Sequence, residues 1–189
     1  MSEVETNAII HVTRCWVEAL VVGEHLCPFA RQPLLAGTVQ FRVSAAQRPK
    51  QLLEDYKAAL TELVETPVER LETILLIHPY VLQDFFAYND FLDEVDEYLA
   101  ESGYEGEFQV ASFHPDYQFA DTDFDDVSNF TNRSPYPMLH LLRESSIEQA
   151  LTHYPNSDAI PQRNIEHLRR LGLEQVRTIL RGCQVESSA

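Results

Sequence analysis

The chain of 189 residues is short of base, of glycine and of cysteine. It carries 14 Lys and Arg against 30 Asp and Glu, a formal net charge of −16, and its only lysines are Lys50 and Lys57. Phosphate backbones and acidic leaflets are bound through Lys and Arg clusters that release counterions. The composition therefore excludes nucleic acid and membrane surfaces as partners. Six glycines, none clustered, leave no phosphate cradle of the P-loop or dinucleotide kind, and no G-x-S-x-G elbow occurs. No apolar run approaches the ~18 residues that span a bilayer. The first residues, Met1-Ser2-Glu3-Val4-Glu5, carry acid where a secretory signal carries base. Three cysteines, Cys15, Cys27 and Cys183, are an odd number with no C-x-x-C pair. This favours a reducing compartment, with Cys15 and Cys183 incidental. A soluble, cytoplasmic protein is the expectation, and its oligomeric state is left open.

What the chain does have is apolar and aromatic. Hydrophobic residues make up 44%, including ten Phe, eight Tyr and one Trp, a content that disordered acidic chains lack. A chain of this length can bury a substantial core as one unit. The expected organisation is a single α/β domain over 1–189 with a frayed tail from about 184.

Hydrophobic spacing divides that domain into elements. Ile9, Val12, Trp16, Ala19 and Leu20 predict an amphipathic helix over roughly 5–24, behind Thr6 and closed by Gly23 and Pro28. Thr38–Ser44 alternates as a half-buried strand, and Arg48-Pro49 opens a second helix that Pro67 closes. Thr73–Ile77 reads as a strand covered on both faces. Asp84 caps a third helix running to Gly103, and Phe108–Phe113 is another buried strand. This order predicts a small, mainly parallel sheet of about three strands flanked by helices. A long ordered loop follows the third strand, and helices resume at Pro137 (Met138, Leu141, Leu142) and at Pro161 to form a helical C-terminus.

Two strands end alike, in Ile77-His78-Pro79-Tyr80 and Phe113-His114-Pro115-Asp116-Tyr117. If these strands are parallel neighbours, His78 and His114 share the sheet edge where open α/β sheets bind ligands. The charge map leads to the same place. Residues 71–132 contain no Lys or Arg yet hold 15 of the 30 acids, and half of all the base follows from Arg133 onward. Within that interval the loop 114–137 has no regular period but is lined by Tyr117, Phe119, Phe124, Phe130 and Tyr136. Long irregular segments inside compact domains are usually functional or disordered, and the aromatics argue for order.

Several chemistries fit these residues. Asp121, Asp123 and Asp125 are spaced to present oxygens from one side of an extended loop. With His114 and Asp116 they could hold Mg²⁺, Mn²⁺ or a non-haem iron; a solvated acidic loop is the alternative. The run departs from an EF-hand, and no zinc motif is present. Cys27, followed by Pro28-Phe29-Ala30, could sit at a helix N-terminus as a low-pKa nucleophile, with His25 or His114 as base, or be a packing cysteine. Asn129, Asn132, Arg133 and Tyr136 form a polar run that could bind substrate. Arg133 would either fork onto a substrate anion or pair with Asp125 or Asp126 to tie the loop down.

Four segments together resemble a bacterial family known as domain of unknown function 1415. They are Leu26-Cys-Pro-Phe-Ala30, Tyr88-Asn-Asp-Phe-Leu92, Val110-Ala-Ser-Phe-His-Pro-Asp-Tyr-Gln-Phe119 and Thr131-Asn-Arg-Ser-Pro-Tyr-Pro-Met-Leu-His-Leu-Leu-Arg-Glu144. The resemblance runs from about residue 10 to 180 and implies a cytoplasmic single-domain protein; it brings no activity and no catalytic assignment. Three functions remain open. One is a divalent-metal-assisted enzyme acting on a small polar substrate walled by 114–137, with His114 and Arg133 in catalytic roles. The second is a non-catalytic ligand-binding or regulatory module. The third is a cysteine-dependent enzyme using Cys27.

Overall fold

A computed structural model describes residues 1–152, 154 and 156–185. The frayed tail expected from about 184 thus falls largely outside the described residues. Helix α1 (Glu3–Trp16) starts slightly before the expected boundary because Ser2, not Thr6, is its N-cap, with its hydroxyl accepting the Glu5 N–H at 3.2 Å. Beyond Trp16 the backbone widens into a π-helical stretch, Val17–Val22. A methyl group on Gly23 would lie 2.3 Å from the Ala19 carbonyl oxygen, so this exit from the stretch requires glycine.

Helix α2 (Arg31–Ala36) leads into β1 (Val39–Val43), α3 (Pro49–Glu65), β2 (Thr73–Ile77), α4 (Phe85–Glu101) and β3 (Phe108–Phe113). The predicted positions of β1, α3, β2, α4 and β3 agree with the structure, including Asp84, whose carboxylate accepts the Ala87 N–H at 2.9 Å, but β3, expected as a buried strand, fully buries only Phe108 because it lies at the sheet edge. The next element departs from expectation. Met138–Arg143 is a strand, β4, rather than the start of a helix. Its Met-Leu-His-Leu-Leu run fits both periods, and pairing on two sides decides between them: β4 lies antiparallel between β2 and β3. The sheet is therefore four-stranded and mixed, ordered β1-β2-β4-β3, with β1 and β2 its parallel pair. This corrects the mainly parallel three-stranded sheet.

The strands alternate sides. Ile74, Leu76, Leu139 and Leu141 pack against α3 and α4. Phe41, Leu75, Ile77 and Met138 pack on the other face against α1, the π-helical stretch and two C-terminal helices, α6 (Ile160–Leu171) and α7 (Leu173–Val185). A short helix α5 (Glu144–Leu151) links β4 to this layer. The Arg143 guanidinium donates to the carbonyls of Leu63, Thr66 and Leu71, so a cation caps the C-terminal end of α3.

The cysteines also differ from expectation. Cys15 and Cys183 are joined in a disulfide between α1 and α7, with Cα atoms 5.4 Å apart, and are not incidental; Cys27 is the free thiol. Among the described residues, no helix is long and apolar enough to cross a membrane.

Candidate functional site

His78 and His114 do lie at one end of the sheet, as their strand endings suggested. The strands they follow, however, are separated by β4. The two rings meet on Tyr88 of α4, with centroids 5.7 Å and 5.1 Å from the tyrosine ring. The Tyr88 hydroxyl donates to the Met138 carbonyl at 2.8 Å and accepts the Phe113 N–H at 3.0 Å, bridging β4 to β3. Both histidines are fully buried. His114 Nε2–H donates to the Leu82 carbonyl at 3.2 Å, and its Nδ1 accepts the Asp116 N–H at 3.0 Å. Carbonyls only accept, so these partners fix a neutral imidazole with both nitrogens engaged. Burial lowers the His114 pKa accordingly. His78 donates Nδ1–H to the Val81 carbonyl at 3.0 Å, its Nε2 is buried without a partner, and burial pulls its pKa down to about 4. His114 is thus an internal brace, which does not support a catalytic or metal-binding role.

The loop 114–137 is held by its own side chains. Asn129, with no exposed surface, accepts from the Phe119 N–H and the Thr122 hydroxyl and donates to the carbonyls of Asp123 and Phe124. All four hydrogen-bonding positions of its amide are used. Asn132 donates to the Ser112 carbonyl at 3.2 Å, and its own carbonyl accepts the His114 N–H. Arg133 is buried, 7% exposed as a residue. It donates Nε–H to the Tyr117 carbonyl at 2.9 Å and Nη2–H to the Phe124 carbonyl at 2.7 Å, and it lies over the rings of Phe124 and Phe130. It pairs with neither Asp125 nor Asp126, which corrects one expectation, and its fork grips the loop rather than facing a ligand. Tyr136 packs half-buried into the core on the α1 side. Of the proposed substrate-binding groups, Asn129, Asn132 and Arg133 hydrogen-bond to backbone of the loop and of β3, and Tyr136 packs into the core.

The carboxylates disperse. Asp116, Asp121, Asp123 and Asp125 are exposed. Asp125 pairs with Arg177 of α7 at 3.6 Å, and Asp126 caps the 3₁₀ turn Val127–Thr131 and pairs with Arg169 of α6 at 3.2 Å. Among the described residues, no three His, Cys, Asp or Glu side chains come together to hold a metal. Of the alternating set that suggested a metal, Asp125 tethers the loop to α7, and the neighbouring Asp126 caps the turn and tethers it to α6.

Cys27 does not head a helix, since α2 begins only at Arg31. Burial pushes its thiol pKa up, and hydrogen bonds from the Phe29 and Ala30 backbone only partly offset this. No hydrogen bond joins it to His25 or His114 among the described residues. This is the environment of a packed cysteine, not of an activated nucleophile.

A separate opening lies elsewhere. An open cleft of about 910 Å³ sits at the carboxyl end of β1, where the chain turns into α3. Arg48, Lys50 and Gln51 form one side, with Glu54, Asp55 and Glu94 also lining it. The buried Ser44 hydroxyl bonds the carboxylate of the lining residue Asp55 and accepts the Ala46 N–H. Among the described residues, Arg48, Lys50 and Glu94 form no ion pair, whereas Glu54 pairs with Lys57 at 2.9 Å. Two cations at a helix N-terminus oppose the helix dipole, and the first turn of α3 holds no acid to compensate. That broken rule was visible in the sequence at Arg48-Pro49-Lys50 as the signal for this site. No curated protein and no solved structure matches the chain. The model of a family described as "Protein of unknown function (DUF1415)" matches residues 8–178, and the chain belongs to that family.

Proposed function

We propose that the protein is a non-catalytic binding module for a small molecule bearing an anionic group, seated in the cleft between the end of β1 and the start of α3. The observation that carries this reading is the pair Arg48 and Lys50, both exposed and neither ion-paired among the described residues. They stand at the N-terminus of a 17-residue helix whose field already favours an anion. An anion there relieves the repulsion between these cations and the helix dipole. Positions that break a local rule in this way are characteristic of binding sites. Glu94 of α4, also lining the cleft, accepts hydrogen bonds from the ligand's donors. The location agrees with ligand seats at the carboxyl ends of strands in α/β sheets. Small size follows from the volume of the cleft. The metal-assisted reading loses support because its carboxylates scatter, and the Cys27 reading because the thiol is raised and lacks a base.

The test is titration of the full chain at low ionic strength with inorganic phosphate, citrate and glutamate, followed by amide chemical shifts. The expected result is saturable movement of residues 44–51 with at least one probe. The double variant Arg48→Gln/Lys50→Gln folds normally but binds ~10–100-fold more weakly, the range for losing one or two charge-assisted hydrogen bonds. Absence of localised shifts at millimolar concentrations of all three probes, or unchanged affinity in the double variant, refutes the reading.

A further inference from the structure

We infer that the Cys15–Cys183 disulfide is a redox-operated clasp that holds α7 over the face formed by α1 and the π-helical stretch. Helix α7 contributes a completely buried Val176, with Ile179 and Leu180 partly buried beside it, to the cluster containing Trp16, Val17 and Leu20. It also sends Arg177 to Asp125 of the 114–137 loop. Beyond this exposed ion pair and its apolar packing, the bond between Cys15 and Cys183 is the covalent tie of α7 to the first helix. The segments it closes are 168 residues apart in sequence, so oxidation removes a very large loop's worth of freedom from any state in which α7 is detached.

The two sulfurs differ in access, which gives the reaction a direction. Cys15 is partly exposed, whereas Cys183 is 1% exposed. An external dithiol therefore attacks Cys15 Sγ as its thiolate, forming a mixed disulfide and expelling the Cys183 thiolate, which takes up a proton. The second thiol of the reductant then displaces Cys15, and the reductant leaves as its own disulfide. Two electrons and two protons pass to the protein. Oxidation runs the same exchange in reverse, with a disulfide such as glutathione disulfide accepting the electrons. Once protonated, the two thiols no longer join α7 to α1, so cleavage leaves α7 on its noncovalent contacts alone and favours its outward movement. The inference is independent of the cleft beside α3, since α7 and α3 pack on opposite faces of the sheet.

The experiment compares the full chain oxidised by glutathione disulfide with the same chain held in dithiothreitol. Non-reducing peptide mapping should yield a Cys15–Cys183 cross-linked peptide in the first sample and not in the second. By hydrogen exchange, amides of residues 173–185 should exchange at least ~10-fold faster after reduction, with those of β2 unchanged, the signature of local opening. Cys15→Ser under oxidising conditions should match the reduced wild type and ignore dithiothreitol. Absence of the linkage, equal exchange in both states, or acceleration spread equally over the sheet would overturn the inference.

Discussion

Arg133 separates two readings of the 114–137 loop, and its replacement by leucine tests them quantitatively. Truncating the guanidinium leaves the carbonyls of Tyr117 and Phe124 without their donors and removes two cation–π contacts, all in a setting where the residue is 7% exposed. Hydrogen bonds from a charged group contribute ~1.5–3 kcal/mol each, and cation–π contacts ~0.5–2 kcal/mol. These terms share one head group and do not add fully, so Arg133→Leu should cost about 3–5 kcal/mol. For a chain of this length that corresponds to a fall in Tm of about 6–20 °C. Arg133→Lys keeps the charge but not the fork and should recover less than half of the loss. Urea and thermal melts measure the cost, and hydrogen exchange over residues 117–126 should locate it. If Arg133→Leu lies within about 1 kcal/mol of the wild type with the loop still protected, the guanidinium does not hold the loop. Its place as a ligand-binding group would then be restored.

Two further predictions address the strand ends and the π-helical stretch. Burial holds His78 neutral when folded, with its pKa pulled from 6.5 down to about 4. The unfolded chain therefore binds the proton more readily, and this contribution is complete above pH 6.5 and lost as pH falls toward 4. About 3 kcal/mol is at stake over that window. His78→Gln should flatten the decline in urea-melt stability between pH 7 and 4; equal slopes in the variant and the wild type contradict the assignment. Gly23→Ala places a methyl group 2.3 Å from the Ala19 carbonyl oxygen, which nothing but a backbone shift relieves. A loss of at least ~2 kcal/mol in urea melts is expected, whereas a neutral substitution there would mean that the exit from the stretch tolerates a side chain.

The sequence by itself determined the periodic elements. The apolar spacing of α1, α3 and α4, the wholly apolar run of β2 and the Asp84 cap are local rules obeyed locally, and each could be placed from its own residues. It also marked where the chain is unusual: two histidines ending two strands, an aromatic-lined irregular loop, and an interval without base. Tertiary structure decided everything that depends on a distant partner. Met138–Arg143 fits either period and became a strand because β2 and β3 each offered it a hydrogen-bonding edge. Cys15 and Cys183 looked unrelated because nothing in their neighbourhoods signals a partner so far along the chain. Asn129, Arg133 and His114 read as site chemistry because buried polar side chains and ligand-binding ones are the same residue types; only the positions of the Phe119, Tyr117, Phe124 and Leu82 backbone groups show that these side chains are engaged within the fold. Sequence records which groups can donate, accept or ionise, and folding settles whether any of that capacity is left for a ligand.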